Sequence, residues 1–140
     1  MAADRLKLIT GHLTPTPPSI IEVKDPKAFP SHLESLLKTQ EYVVVVITAT
    51  DLHAPEGTQT WCPYCDKARG NIKTVLIPSA SAKIGEKILY CTVKREEWVG
   101  NASHPYKADA RMKARGVPTV LLIKRGDGDK WEVVHRVEKD

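Results

Sequence analysis

Trp61-Cys62-Pro63-Tyr64-Cys65 is the stretch of this chain whose residue types and spacing could carry out covalent chemistry. Two cysteines separated by two residues can bridge with little backbone movement when both lie in the first turn of a helix. The pair can then cycle between dithiol and disulfide without unfolding anything. Cys62 falls where backbone N–H groups have no partner inside the helix, and those groups and the helix dipole hold a thiolate there. The competing reading is half of a structural zinc site, which needs two further ligands. Cys91 and five scattered histidines could supply them. There is no second close cysteine pair, and an aromatic-Cys-Pro-x-Cys at a helix start favours redox chemistry.

The elements that must hold this pair follow from the flanking pattern. Tyr42 to Thr48 is β-branched almost throughout and does not alternate, the mark of a central strand covered on both faces. The loop from Ala49 to Thr60 is long for a strand-to-helix connection and runs directly into the cysteines. Pro63 suits a first helical position, and the helix is expected to pass Ile72, Val75 and Leu76 and stop before Pro78. Gly70-Asn71 in its middle costs about 1 kcal/mol for the glycine relative to alanine and is a place for a kink.

Further elements are predicted at Leu6 to Leu13 (a first strand), Ser31 to Thr39 (a helix with Leu33, Leu36 and Leu37 on one face) and Lys87 to Val93 (a strand). Asp25-Pro26 offers that helix an earlier cap and first position, but Pro30 argues for the start at Ser31. Lys94 to His104 reads as loop, Pro105 to Arg115 as a helix closed by Gly116, and Val117 to Lys124 as the third core strand. Arg125 to Asp129 is a hairpin turn, after which Lys130 to Val137 pairs back. Thr14-Pro15-Thr16-Pro17-Pro18 is a helix-incompatible spacer. Residues 1–140 are expected to form a single domain, with 1–25 as an N-terminal extension carrying the first strand and the spacer. Strands alternating with helices and ending in a hairpin imply a three-layer α/β/α sandwich with a mixed sheet.

Composition narrows the function. A net charge of +4 with scattered Lys and Arg leaves no nucleic-acid footprint. No stretch approaches the ~20 apolar residues of a membrane span, and Met1 to Leu8 lacks a signal-peptide apolar core. Three cysteines, two of them in one close pair, suit a reducing compartment with one working pair and one spare thiol. A cytoplasmic monomer is the expectation.

With Gly116-Val117-Pro118-Thr119 leading into a strand downstream of the cysteine pair, the chain resembles a thioredoxin-fold protein. The long loop before Trp61, Tyr90-Cys91 at a strand end and the Trp98 segment before Val117-Pro118 resemble the thioredoxin domain-containing protein 17 family. The resemblance covers Tyr42 to Lys124. It implies a cis-proline at Pro118 and a disulfide reductase that needs no bound cofactor of its own and is recycled by NADPH-dependent thioredoxin reductase. It also implies substrates such as cystine or accessible protein disulfides. Cys62 would be the nucleophile and Cys65 the resolving cysteine. Trp61, Pro63, Tyr64, Val117 and Pro118 would contact substrate, with the Val117 backbone open to short β-strand addition.

Three departures from that family stand out. Tyr64 occupies a position that is typically acidic, and Pro63-Tyr64 is the glutaredoxin dipeptide, so a glutathione-dependent reductase is an alternative. A metal-stapled binding module is another. Gly70 stands where thioredoxins commonly carry a kinking proline. The sequence stops at Asp140 without room for the usual final helix, so one sheet face is less covered, the N-terminal extension replaces it, or the sequence stops short of it. Neither Val45 nor Val46 offers a carboxylate beneath Cys65. Cys91 reads as a buried inert thiol. His53, His104, Lys67 and Arg69 read as solvated side chains, Trp131 as packing, and Trp98 as either a loop anchor or part of the pocket wall.

Overall fold

A computed structural model of the chain describes residues 20–79 and 87–138. Its strands are β1 (Ile20–Val23), β2 (Tyr42–Thr48), β3 (Ile88–Thr92), β4 (Thr119–Arg125) and β5 (Trp131–Glu138). They form one five-stranded sheet in the order β1-β3-β2-β4-β5. β1 and β2 lie parallel to β3, whereas β4 runs antiparallel to both β2 and β5. The helices are α1 (Phe29–Leu37), α2 (Pro63–Asn71), a π-helical turn Ile72–Leu76 that continues it, and the short α3 (Arg95–Trp98) and α4 (Pro105–Ala108).

The unbroken β-branched run of β2 is explained by its place at the centre of the sheet. Successive side chains point to opposite faces, and both faces are covered. Val43, Val45 and Ile47 join Phe29, Leu33, Leu36 and Leu37 of α1 in one core. Val44 and Val46 join Ile72, Ile77, Ile88, Tyr90 and Leu52 in the other. This is the expected three-layer arrangement. Over β4 and β5 the second layer is thinner: Val120 and Leu122 are only half-buried and Val137 is exposed.

Several boundaries differ from the pattern-based expectation. The strand expected at Leu6 to Leu13 and the proline spacer lie outside the described residues. The described sheet takes its first strand from Ile20–Val23, inside the stretch read as an extension. α1 begins at Phe29 instead of Ser31, because Pro30 falls in the first turn, where its missing N–H would have had no partner. Gly70 is accommodated in α2 and the expected irregularity appears one residue later as the π turn, whose ladder shifts so that Ile77 N–H reaches Ile72 C=O. Helix continues through residues 77–79, past the expected stop at Pro78.

The predicted helix from Pro105 to Arg115 ends at Ala108. Asp109 terminates it by taking the backbone N–H groups of Arg111 and Met112 on its own carboxylate, at 2.8 and 3.0 Å. The segment read as loop before it contains α3, and Trp98 is a buried anchor, at 4 % exposure. His104 is buried, not solvated: its ring lies 5.0 Å from those of Trp98 and Tyr106, and its Nδ1 accepts the Tyr106 N–H. The β4–β5 hairpin closes through Gly128 at a φ of 64°, a conformation that only glycine adopts without strain.

Candidate active site

Cys62 stands at the N-cap of α2 with extended backbone angles, and Pro63 follows at the first helical position. The Cys62 and Cys65 sulfurs lie at disulfide distance, with Cα atoms 5.3 Å apart. Spacing and helix start together produce this geometry, since the first helical turn brings the two side chains onto one end of the helix. The Cys65 N–H donates to the Cys62 sulfur at 3.2 Å. An unpaired helix N–H aimed at a sulfur is the arrangement that stabilises a thiolate. Cys62 is 6 % exposed and Cys65 is fully buried, so Cys62 is the outer of the two sulfurs.

The second wall of the site comes from the turn before β4. The Val117–Pro118 peptide bond is cis, and the Val117 carbonyl lies 3.6 Å from the Cys62 sulfur. Val117 is buried and Pro118 half-buried beside it. Trp61 is half-buried against the α1-side core, whereas Tyr64 is 55 % exposed and Pro63 faces solvent. The structure therefore gathers Cys62, Cys65 and Val117 around one sulfur centre, with Trp61, Tyr64 and Pro118 flanking it. Tyr64 and Pro118 also line an apolar groove of about 780 Å³ that continues past Val75, Leu76 and Val120 to Val137.

The long loop before the cysteines is fastened along its length. Leu52 is buried in the α2-side core. The buried Tyr90 hydroxyl donates to the Thr50 carbonyl at 2.6 Å, and Arg69 Nη1 donates to the Leu52 carbonyl at 3.4 Å. Arg69 is thus buried and structural, correcting its assignment to a solvated helix face, while Lys67 is exposed as expected. His53 is exposed on the same loop.

Asp66 is the residue that sequence reasoning missed. Its Oδ1 accepts the Thr50 and Thr60 hydroxyls at 2.6 and 2.7 Å, and its Oδ2 accepts the Thr60 N–H at 2.8 Å. Burial alone raises its carboxyl, but these hydrogen bonds and the nearby Arg69 charge outweigh that and hold it below the usual carboxylate range. The signal was an acid in the first turn, where helix dipole and capping favour one, with a threonine shortly upstream.

Cys91 is fully buried on β3, and burial pushes its thiol up to about 12. Among the described residues no three His, Cys, Asp or Glu side chains converge to hold a metal. No helix there is long and apolar enough to cross a membrane.

Residues 22–138 match the family model described as thioredoxin domain-containing protein 17-like, thioredoxin domain. A thioredoxin-like protein Clot from Oryza sativa subsp. japonica is 31% identical over 72 residues, which cover 50% of this chain and 51% of that protein. An acireductone dioxygenase from Leishmania infantum is 27% identical over 84 residues, 58% of this chain and 24% of that protein. The chain thus spans about a quarter to a half of the length of these curated relatives. The crystal structure of a thioredoxin from Nicotiana alata superposes with a TM-score of 0.50 at 19% identity, over 89% of this chain and 84% of that one. At that identity the likeness is one of fold.

Proposed function

The chain belongs to the thioredoxin domain-containing protein 17-like family, and we propose that it is a thiol–disulfide oxidoreductase working as a disulfide reductase through its CxxC pair, which lies at disulfide distance. The observation that carries this reading is the Cys62 sulfur, the less buried of the pair, held between the Cys65 N–H and the Val117 carbonyl.

In the proposed cycle the Cys62 thiolate attacks one sulfur of a substrate disulfide. One S–S bond forms as the substrate's breaks, and the departing thiolate takes a proton from solvent. Cys65, losing its proton, then attacks the Cys62 sulfur, closes the Cys62–Cys65 disulfide and releases the second substrate thiol. The substrate gains two electrons and two protons, and the dithiol is restored by two electrons that originate in NADPH, delivered through thioredoxin reductase. Trp61, Pro63, Tyr64, Val117 and Pro118 form the substrate contact surface, with the Val117 backbone offered to an extended substrate segment. Slight exposure of Cys62 and a loop fastened by Leu52, Tyr90 and Asp66 favour small disulfides such as cystine over large folded ones. The reading implies a reducing compartment such as the cytosol, where the buried Cys91 stays a thiol.

Pro63-Tyr64, the glutaredoxin dipeptide, supports the second reading, a glutathione-dependent reductase, with Tyr64 exposed at the position before Cys65. Turnover of cystine and insulin is to be compared with NADPH and thioredoxin reductase against glutathione and glutathione reductase. Fast cystine and slow insulin turnover with thioredoxin reductase supports the first reading. Turnover only with glutathione transfers the function to the second.

A further inference from the structure

We infer that Asp66 is a positioning residue for the redox pair: its carboxylate ties both ends of the preceding loop together and, through the Thr60 hydroxyl, holds the Cys62 backbone in register. The inference rests on the dithiol reading above and concerns how the attacking sulfur is kept in place.

One hydroxyl links the carboxylate to Cys62. Thr60 Oγ1 has a single hydrogen and two lone pairs. Three acceptors compete for that hydrogen, Asp66 Oδ1 at 2.7 Å, the Cys62 carbonyl at 3.4 Å and Thr50 Oγ1 at 3.5 Å. The shortest contact, to an ionised carboxylate, wins, because charge-assisted hydrogen bonds are the stronger kind. With its hydrogen committed to Asp66, the oxygen turns a lone pair toward the Cys62 N–H, which donates to it at 3.2 Å. The carboxylate therefore orients the group that fixes the Cys62 backbone. From there the chain enters α2, the Asp66 N–H closing on the Cys62 carbonyl at 3.1 Å. Cys62 is thus gripped at both its N–H and its C=O, and the grip leaves its sulfur on the Cys65 N–H.

The same carboxylate fastens the loop as a unit. Thr50 at its start and Thr60 at its end meet on Asp66, with their hydroxyls 3.5 Å apart. Three hydrogen bonds on one partly buried carboxylate are more than a solvated first-turn acid makes, and the arrangement accounts for an acid there beyond the helix dipole.

Two substitutions separate the grip from the charge. Thr60→Val removes the relay to Cys62 with no change of charge and keeps the Asp66 bonds to the Thr50 hydroxyl and the residue-60 N–H. Asp66→Asn removes a negative charge, which by itself would favour the thiolate, but sets an amide N–H₂ or a shared oxygen against three donors. Both are made in the full chain with Cys65→Ser, and the alkylation of Cys62 by iodoacetamide is followed across pH, with thermal unfolding measured alongside. Cystine turnover by each variant is measured with Cys65 intact. We expect both substitutions to slow Cys62 alkylation near neutral pH by about tenfold and to move its profile to higher pH, as loss of one hydrogen bond to a charged group implies. Cystine kcat falls with it. Wild-type alkylation in folded Thr60→Val together with faster alkylation in Asp66→Asn would show the carboxylate acting as a charge alone, and overturns the inference. Slowed alkylation in a protein whose unsubstituted form reduces no disulfide leaves the positioning role standing and removes the reductase reading instead.

Discussion

Tyr90→Phe deletes one oxygen and tests whether the loop before the cysteines is anchored from the sheet. Tyr90 is 1 % exposed and its ring packs in the α2-side core, so phenylalanine keeps the packing. What is lost is the 2.6 Å hydrogen bond from the hydroxyl to the Thr50 carbonyl. A buried carbonyl stripped of its donor costs about 1–3 kcal/mol, offset in part because the hydroxyl no longer has to be desolvated. The net expectation is about 2 kcal/mol of destabilisation. At about 3 °C per kcal/mol for a domain of this size, the thermal midpoint falls by about 6 °C.

Tyr90 also carries a pH signature. Burial raises its phenol above the ordinary value, with Arg69 opposing and Asp51 and Glu22 adding. A raised folded value means the stabilisation is complete below the unfolded phenol range, about pH 10, and is lost as pH rises above it, where only the unfolded chain ionises. Urea midpoints measured from neutral pH to above pH 10 therefore decline more steeply for the wild type than for Tyr90→Phe. A variant within 0.5 kcal/mol of wild type (about the scatter of neutral surface changes) with an unchanged alkaline slope would refute the anchor.

Three further outcomes follow from the same geometry. Native alkylation of the reduced chain should label Cys62 and leave Cys91 unmodified until denaturant is added, because Cys91 is fully buried with its thiol pushed up to about 12; peptide mass mapping reads this directly. His104 is held below its ordinary value by burial and by Lys107, against Glu97. Stability should fall as pH drops through the unfolded histidine value near 6.5, since the unfolded chain then binds the proton first, and His104→Gln should flatten the acid limb of the urea midpoint. Leu33→Ala, at a 1 % exposed position where α1 meets the sheet, should cost about 2–5 kcal/mol in chemical denaturation and leave Cys62 alkylation of the folded protein unchanged.

The centre of this fold was legible because its signals are local and redundant. A β-branched run, a cysteine pair opened by Pro63 and a glycine-containing hairpin each announce themselves within a few residues. β1 did not, since Ile20–Val23 is a strand by virtue of pairing with Ile88–Cys91, far away in sequence. Asp109 ended a helix expected to run on to Gly116, its carboxylate taking the backbone N–H groups of Arg111 and Met112. Arg69 and His104 were misassigned for a shared reason. Both are polar residues whose burial depends on partners, Leu52 in one case and Trp98 with Tyr106 in the other, that only the folded chain brings near. Cys62 and Cys65 were legible as a pair that could bridge and do lie at disulfide distance, whereas Asp66 gave no such local signal, because its hydrogen bonds form only where two threonines from opposite ends of a loop converge.

The most direct test of the redox assignment is covalent trapping. Reduced Cys65→Ser and Cys62→Ser chains are incubated with cystine, and the products are mapped by mass spectrometry. The account predicts a stable cysteine adduct on Cys62 in Cys65→Ser, and no disulfide-reductase turnover by Cys62→Ser. Turnover retained by Cys62→Ser, or an adduct formed on Cys65 in preference to Cys62, would contradict it.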